Sequence, residues 1–214
     1  MNGVKFGFMH SYDFLDIVLS EKEIGVPDVK TNVIEVQGAD GVVDMTDFFG
    51  EVKYTNRILK FKFTINPLLK QSEYLNTFNN VQNILHGTQQ KIILDDESDY
   101  YYFGIISVGN YKCEKGIATF EMTCDCEPFK TENEVTTVTQ SINGIVTVEL
   151  YNSRKRVVPT ITASTELLFK YDGVYYDGTE GTFTIPEIEL KNGYNYVEVT
   201  GVGTVSFSYQ KGRL

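Results

Sequence analysis

Apolar and polar positions alternate along most of this chain with a period of two. In the run Arg57-Ile58-Leu59-Lys60-Phe61-Lys62-Phe63-Thr64-Ile65, the residues Leu59, Phe61, Phe63 and Ile65 share one face, while Lys60, Lys62 and Thr64 share the other. That is the pattern of a half-buried strand, and it ends at Asn66-Pro67. Further strands are expected over Asn32–Gln37, Lys91–Leu94, Tyr100–Val108 and Ile117–Cys126. The acidic run Asp95-Asp96-Glu97-Ser98-Asp99 separates two of these and reads as a hairpin turn.

One segment breaks the rhythm. Between Leu68 and Leu85 there is no Gly or Pro, and Leu75, Phe78, Val81 or Gln82, and Leu85 recur at helical spacing. Gly87 follows where a helix C-terminal cap belongs. A single amphipathic helix, about 68–86, is therefore expected to cover a face of the first sheet.

The texture changes at Glu127-Pro128-Phe129, which is followed by the charged, aperiodic stretch 130–134. The sequence thus suggests two domains, 1–130 and 131–214. In the second, Asn143-Gly144, Asp172-Gly173, Asp177-Gly178 and Asn192-Gly193 carry hairpin-turn chemistry. Together with alternating runs such as Val205-Ser206-Phe207-Ser208-Tyr209, they point to a compact β-sandwich or jelly roll. The fold class is mainly β, as two sandwich-type domains, the first with one covering helix.

Charge narrows the partners. The chain carries a formal −10; up to Pro128 there are 11 Lys/Arg against 19 Asp/Glu, and after it 8 against 10. An acidic first half lacks the clustered cations that nucleic acid requires. The one tight basic cluster, Arg154-Lys155-Arg156, reads as a solvated turn. No run approaches the roughly 20 apolar residues of a bilayer span, and Met1-Asn2-Gly3-Val4-Lys5-Phe6-Gly7 does not read as a secretory leader. A soluble protein made in a cytoplasm is expected.

Candidate chemistry is sparse. Cys124 and Cys126 lie two apart, on the strand face of Phe120 and Met122, and read as buried free thiols; Cys113 stands alone. A structural zinc needs four ligands, and beyond three cysteines the chain offers only His10 and His86. His10 has Ser11 beside it and Asp13 near it, yet adjacent residues seldom face each other as a nucleophile and base must. His86 precedes Gly87, where an imidazole suits the carbonyl end of a helix. Asp95–Asp99 lacks the spaced ligands of a calcium loop. Gly201-Val202-Gly203 lacks the third glycine and the following helix of a dinucleotide loop. Tyr171, Tyr175, Tyr176, Tyr194 and Tyr196 could stack on a sugar, though tyrosine is also an ordinary strand residue. No catalytic, cofactor or metal residue is assigned.

Several segments, in order, resemble one family. Gly3-Val4-Lys5-Phe6-Gly7-Phe8-Met9-His10-Ser11-Tyr12-Asp13-Phe14 is similar to the opening of siphophage distal tail proteins, which run a Phe-x-Gly, a Ser and an Asp-Phe at about this spacing. Ile34 to Thr46, with Gly38-Ala39-Asp40-Gly41 and Asp44, resembles that family's glycine–aspartate stretch, although Gln37 stands where proline is usual. Tyr54-Thr55-Asn56-Arg57 matches its Tyr-x-Asn-Arg approach to a strong amphipathic strand. Tyr100-Tyr101-Tyr102, Cys124-Asp125-Cys126-Glu127-Pro128-Phe129 and Val157-Val158-Pro159-Thr160-Ile161 continue the likeness. The first 130 residues carry most of it.

The resemblance implies a ring-forming β-sandwich first domain and a galectin-like, carbohydrate-module-like second domain. It implies a homo-hexameric ring in the virion, at the tail tip or baseplate, assembled after synthesis in the host bacterial cytoplasm. Its neighbours would be the major tail tube protein, the tail-associated tip hub protein and a receptor-binding protein. DNA would pass through without being specifically bound, along a lumen that an acidic first domain would line with negative charge. Neither an enzyme nor a cofactor follows from it. Asn56 and Arg57 serve either a local turn or, in the case of Arg57, an assembly interface. The alternative function is a non-catalytic carbohydrate-binding module that attaches to cell-surface glycans.

Overall fold

The computed structural model describes residues 3–214 apart from 36, 39, 47, 49 and 50. It divides into two compact units, Met1–Pro128 and Phe129–Leu214. Both are mainly β.

Unit 1 runs β1 (Val4–Phe6), β2 (Met9–His10), β3 (Ile17–Ile24), β4 (Val33–Glu35), β5 (Val42–Asp44), β6 (Arg57–Ile65), α1 (Tyr74–Leu85), β7 (Gln89–Leu94), β8 (Tyr100–Val108), β9 (Lys112–Glu114) and β10 (Ile117–Cys126). Its sheet has the order β2-β1-β7-β8-β10-β6-β3, with β9 pairing β10. On β6, the four residues expected on the apolar face are all buried. Laid flat, β1 and β6 would stand about 19 Å apart, four strand spacings. Instead the Phe6 ring meets Phe61 and Phe63 edge-on, at 6.4 and 6.2 Å. The sheet therefore folds over onto itself, and its two ends face each other across one core.

The helix is shorter than expected, and its buried stripe differs from the expected one only at its first position. A 3-10 turn occupies Gln71–Glu73 and α1 begins at Tyr74. Tyr74, Phe78, Val81 and Leu85 form the buried stripe, while Leu75 is exposed. Tyr74 wins because the i, i+4, i+7, i+11 spacing keeps it in line with Leu85. Phe78 then packs edge-on against Phe120, 5.4 Å between centroids. Where β8 crosses β10, Gly104 lies against the Asp125 carbonyl, and a Cβ there would stand 2.6 Å from Cys126 Cα; only glycine permits that approach.

The expected strand 32–37 is Val33–Glu35 in the described residues; Val36 lies outside them. Besides the three-residue strands β5 and β9, two elements escaped the sequence reading, the short β1–β2 hairpin and β3. The latter alternates poorly, since only Ile17 is buried and residues 20–24 are exposed on both faces.

Unit 2 comprises β11 (Lys130–Glu132), β12 (Thr136–Asn152), β13 (Thr160–Ala163), β14 (Leu167–Tyr171), β15 (Val174–Gly178), β16 (Gly181–Thr184), β17 (Gly193–Tyr209) and β18 (Gly212–Arg213). Its frame is one 17-residue antiparallel pair, β12 with β17, unbroken from Thr136↔Tyr209 to Asn152↔Gly193. On the far side of β17, β14 pairs with its first half and β13 with its second. The pair thus belongs to two sheets, β12-β17-β14-β15 and β12-β17-β13-β16. Phe169 of β14 meets Phe207 of β17 and Phe183 of β16 edge-on, at 6.2 and 5.9 Å, closing a sandwich core.

The transition between the sheets lies at Gly144 and Gly201, which are paired to each other with φ of +91° and +145°. This corrects the reading of Asn143-Gly144 as a hairpin turn: it is a bend inside a strand. Asp177-Gly178 is likewise no turn, because Gly178 pairs with Leu167 and makes room for the Phe169 ring. Asn192-Gly193 leads into β17 rather than closing a two-residue hairpin. Asp172-Gly173 does turn, with φ of +47° and +82° between Tyr171 and Val174, as a primed turn requires.

Candidate assembly surfaces

The excursion between β3 and β6 reaches out as a two-stranded ribbon. Its stem is held by Gly25 N–H to Ile58 O (2.9 Å), Thr55 N–H to Asp28 O (2.8 Å) and Lys30 N–H to Lys53 O (2.8 Å). Beyond the stem, among the described residues β4 and β5 pair only with each other, Ile34 opposite Val43 and Val33 opposite Asp44. Val33, Ile34, Val42 and Val43 are 51%, 49%, 55% and 49% exposed, and they fall on both faces. An isolated two-stranded hairpin is marginal in water, and apolar groups on both of its faces gain nothing from the core of their own unit. Exposed apolar groups of this kind make the hairpin a candidate contact surface.

Phe8 and Phe14 make a second exposed apolar feature, packed edge-on at 5.8 Å beside the β1–β2 turn.

The acidic turn 95–99 is more than a turn. Asp95 Oδ2 accepts from Gly3 N–H at 2.7 Å and lies 3.1 Å from His10 Nε2. Asp96 pairs with Lys22 of β3, and Glu97 accepts from the Tyr102 hydroxyl at 3.1 Å. Three neighbouring acids thus tie β1–β2, β3 and β8 together at one end of the sandwich. The hydrogen bond from Lys22 holds the Asp96 carboxyl below its ordinary range. His10 is engaged here, its Nδ1 facing the Tyr12 and Asp13 amides at 3.3 and 3.4 Å. Ser11 is buried and accepts from Val4 N–H, so the two side chains are directed to different partners. His86 caps the end of α1, but its Nδ1 accepts from Val108 N–H at 3.0 Å instead of facing the last helical carbonyls.

Arg57 is only 4% exposed. Its parity on β6 is that of Leu59 and Phe61, so it enters the core side of the strand. There Nε donates to the Pro128 carbonyl at 2.8 Å and the guanidinium sits 5.4 Å from the Tyr102 ring centre. Burial and the nearby Glu97 carboxylate push the Tyr102 hydroxyl up to about 12. Asn56 donates to Asp125 at 2.8 Å. The two residues organise the mouth of the strand and the end of unit 1.

Cys124 and Cys126 are buried on the face of Phe120 and Met122, and Cys113 is exposed. Burial pushes the Cys126 thiol up to about 12 and Cys124 higher still. No three His, Cys, Asp or Glu side chains converge among the described residues, and no helix there is long and apolar enough to cross a membrane.

In unit 2, the basic cluster is a turn between β12 and β13, but not a merely solvated one: Arg156 pairs with Glu189 at 2.6 Å. The tyrosines part company. Tyr171 is buried, donating to Glu189 O and Asn195 Oδ1, and Tyr176 is half-buried against the core. Tyr175, Tyr194 and Tyr196 are exposed, joined by Tyr151, whose ring lies 5.2 Å from that of Tyr194. Sequence reading missed Tyr151 because the long β12 was broken at Asn143-Gly144.

No protein-family model and no curated protein sequence matches this chain. A solved structure does: the crystal structure of SPP1 Dit (gp 19.1), described as a paradigm of the hub adsorption apparatus in phages infecting Gram-positive bacteria, superposes with a TM-score of 0.71 at 17% identity, covering 100% of both chains. The chain therefore has, from end to end, the fold of a siphophage distal tail protein.

Proposed function

We propose that this chain is a structural protein of the distal end of a siphophage tail, where copies close into a hexameric ring between the tail tube and the tip hub. The observation that carries the reading is the full-length superposition, both units included, on SPP1 Dit. The exposed apolar hairpin β4–β5 supports it, because a head-to-tail ring needs a protruding surface on one side of each subunit that fits its neighbour. Hairpin residues Ile34 and Val43 are the contact residues in this reading. Arg57 contributes indirectly, by fixing the β6 entry and the Pro128 carbonyl, and not by touching the next copy. The acidic balance of unit 1 lines the lumen with negative charge, over which DNA slides without adhering.

Electron microscopy of the purified chain tests this. Sixfold class averages with an open centre are the expected result; compact particles with no rotational symmetry at any concentration would refute it.

A further inference from the structure

Unit 2 leaves a long edge open. Among the described residues β12 pairs only with β17, so alternate positions along its 17 residues direct their backbone N–H and C=O groups to an edge without a strand partner. The Tyr151 carbonyl also accepts from the Tyr209 hydroxyl at 2.7 Å. Natural edges of this length are blunted with lysine or proline. Residues 136–152 contain neither, and Glu149 is their only charge. The bend at Gly144 divides the edge, and beyond it residues 145–151 keep an unbroken register with β17, the first four of them β-branched.

The outer face beside that stretch is built from tyrosines and carboxylates. Tyr151 stands opposite Tyr194, and Glu149 opposite Tyr196. The next row shows how this face holds a cation. Lys170 Nζ lies 5.3 Å from the Tyr175 ring centre and 3.5 Å from the Glu198 carboxylate. The Glu149–Tyr196 row repeats the same tyrosine-and-carboxylate arrangement without a lysine, and Glu149 has no ion-pair partner among the described residues.

We propose that residues 145–151 of β12 accept an extended segment of a partner protein as an added strand, and that a Lys or Arg of that segment lies on Tyr194 and Tyr196 beside Glu149. Strand addition supplies the main-chain hydrogen bonds. The unmatched carboxylate and the aromatic faces supply the preference for a basic side chain. An added strand would lie about 4.8 Å from β12 and about 9.6 Å from β17, so a long basic side chain would run past Glu149 to reach the tyrosine rings. This site is independent of the ring: ring formation is read by particle symmetry, strand addition by local protection.

The test uses the full chain and two peptides, acetyl-Thr-Val-Arg-Val-Arg-Val-Thr-amide and its counterpart with Glu in place of Arg. Hydrogen exchange should slow at the amides of 145–151 with the basic peptide and not with the acidic one. Glu149→Gln should weaken the effect about three- to tenfold, and Tyr196→Leu, which keeps a strand former, should weaken it similarly. Equal protection by both peptides, protection that Glu149→Gln leaves unchanged, or no protection at millimolar peptide would overturn the proposal. So would protection by a chito-oligosaccharide in place of the peptide, or by raising the concentration of the chain alone, which would assign the surface to a glycan or to a second copy.

Discussion

Two stretches of unit 1 are built from the same β-forming residues and have opposite fates. In β6 the apolar residues Leu59, Phe61, Phe63 and Ile65 keep to alternate positions and are buried, and Ile58 is the one apolar residue on the outer face, 39% exposed. In β4 and β5 the apolar residues occupy adjacent positions, and none is buried. The difference is parity. A strand with one apolar face can bury it against its own unit, whereas a strand apolar on both faces inside an isolated hairpin cannot. The first kind of strand makes the fold; the second leaves its apolar groups exposed.

Substitutions sharpen that contrast. Phe63 touches the rings of Phe6, Phe61 and Phe120, so Phe63→Ala should cost about 3–5 kcal/mol of stability in denaturant unfolding. Val43→Ser on the hairpin should change it by no more than about 0.5 kcal/mol while weakening assembly. If Val43→Ser destabilises the isolated subunit as strongly as a core cavity, the hairpin belongs to the fold and the comparison fails.

Gly104→Ala comes next. A Cβ pressed against the Asp125 carbonyl and Cys126 Cα should cost about 1–3 kcal/mol as overpacking.

Alkaline titration probes the same core. The folded-state values of Tyr102 and Cys126 are raised to about 12, so the stability tied to their neutral forms is complete below their unfolded values. It is lost as pH rises toward 12, on the order of 2 kcal/mol for Tyr102 by linkage. Thermal melts should fall over that window, beginning where free thiols ionise, and Cys126→Ala should make the fall shallower without moving its onset, because Cys124 is raised as well.

The acid side moves less. Asp96, held low by Lys22, adds stability that is present above the ordinary carboxylate range and disappears as pH drops through its lowered value. Both side chains are partly exposed, so Lys22→Met should cost under about 1 kcal/mol.

Parity also explains what the sequence revealed and what it hid. β6, β8 and β10 were legible because one buried face imposes alternation, and Cys124 and Cys126 were placed correctly by the same rule. Arg57 shares the inward parity of Leu59, a signal that its charge obscured; it enters the core by bonding to Pro128 and lying near Tyr102. β3 was hidden because its outer half buries no apolar face: it is held by pairing with β6 and by ion pairs to Lys60, Lys62 and Asp96. The turn chemistry of Asn143-Gly144 was misleading, since positive φ serves a bend inside a strand as well as a hairpin. Glu149 and Tyr151 could not be singled out before β12 was known to be continuous, because their pairing with Tyr196 and Tyr194 depends on the register beyond that bend.

Mass measurement of the native chain beside an Ile34→Lys, Val43→Lys double variant tests the central claim most directly. The native protein should give a particle six times the 24.3 kDa chain, and the variant a folded single chain with an unchanged melting temperature. A native protein that stays a single chain at every concentration, or a variant that assembles just as well, would contradict it.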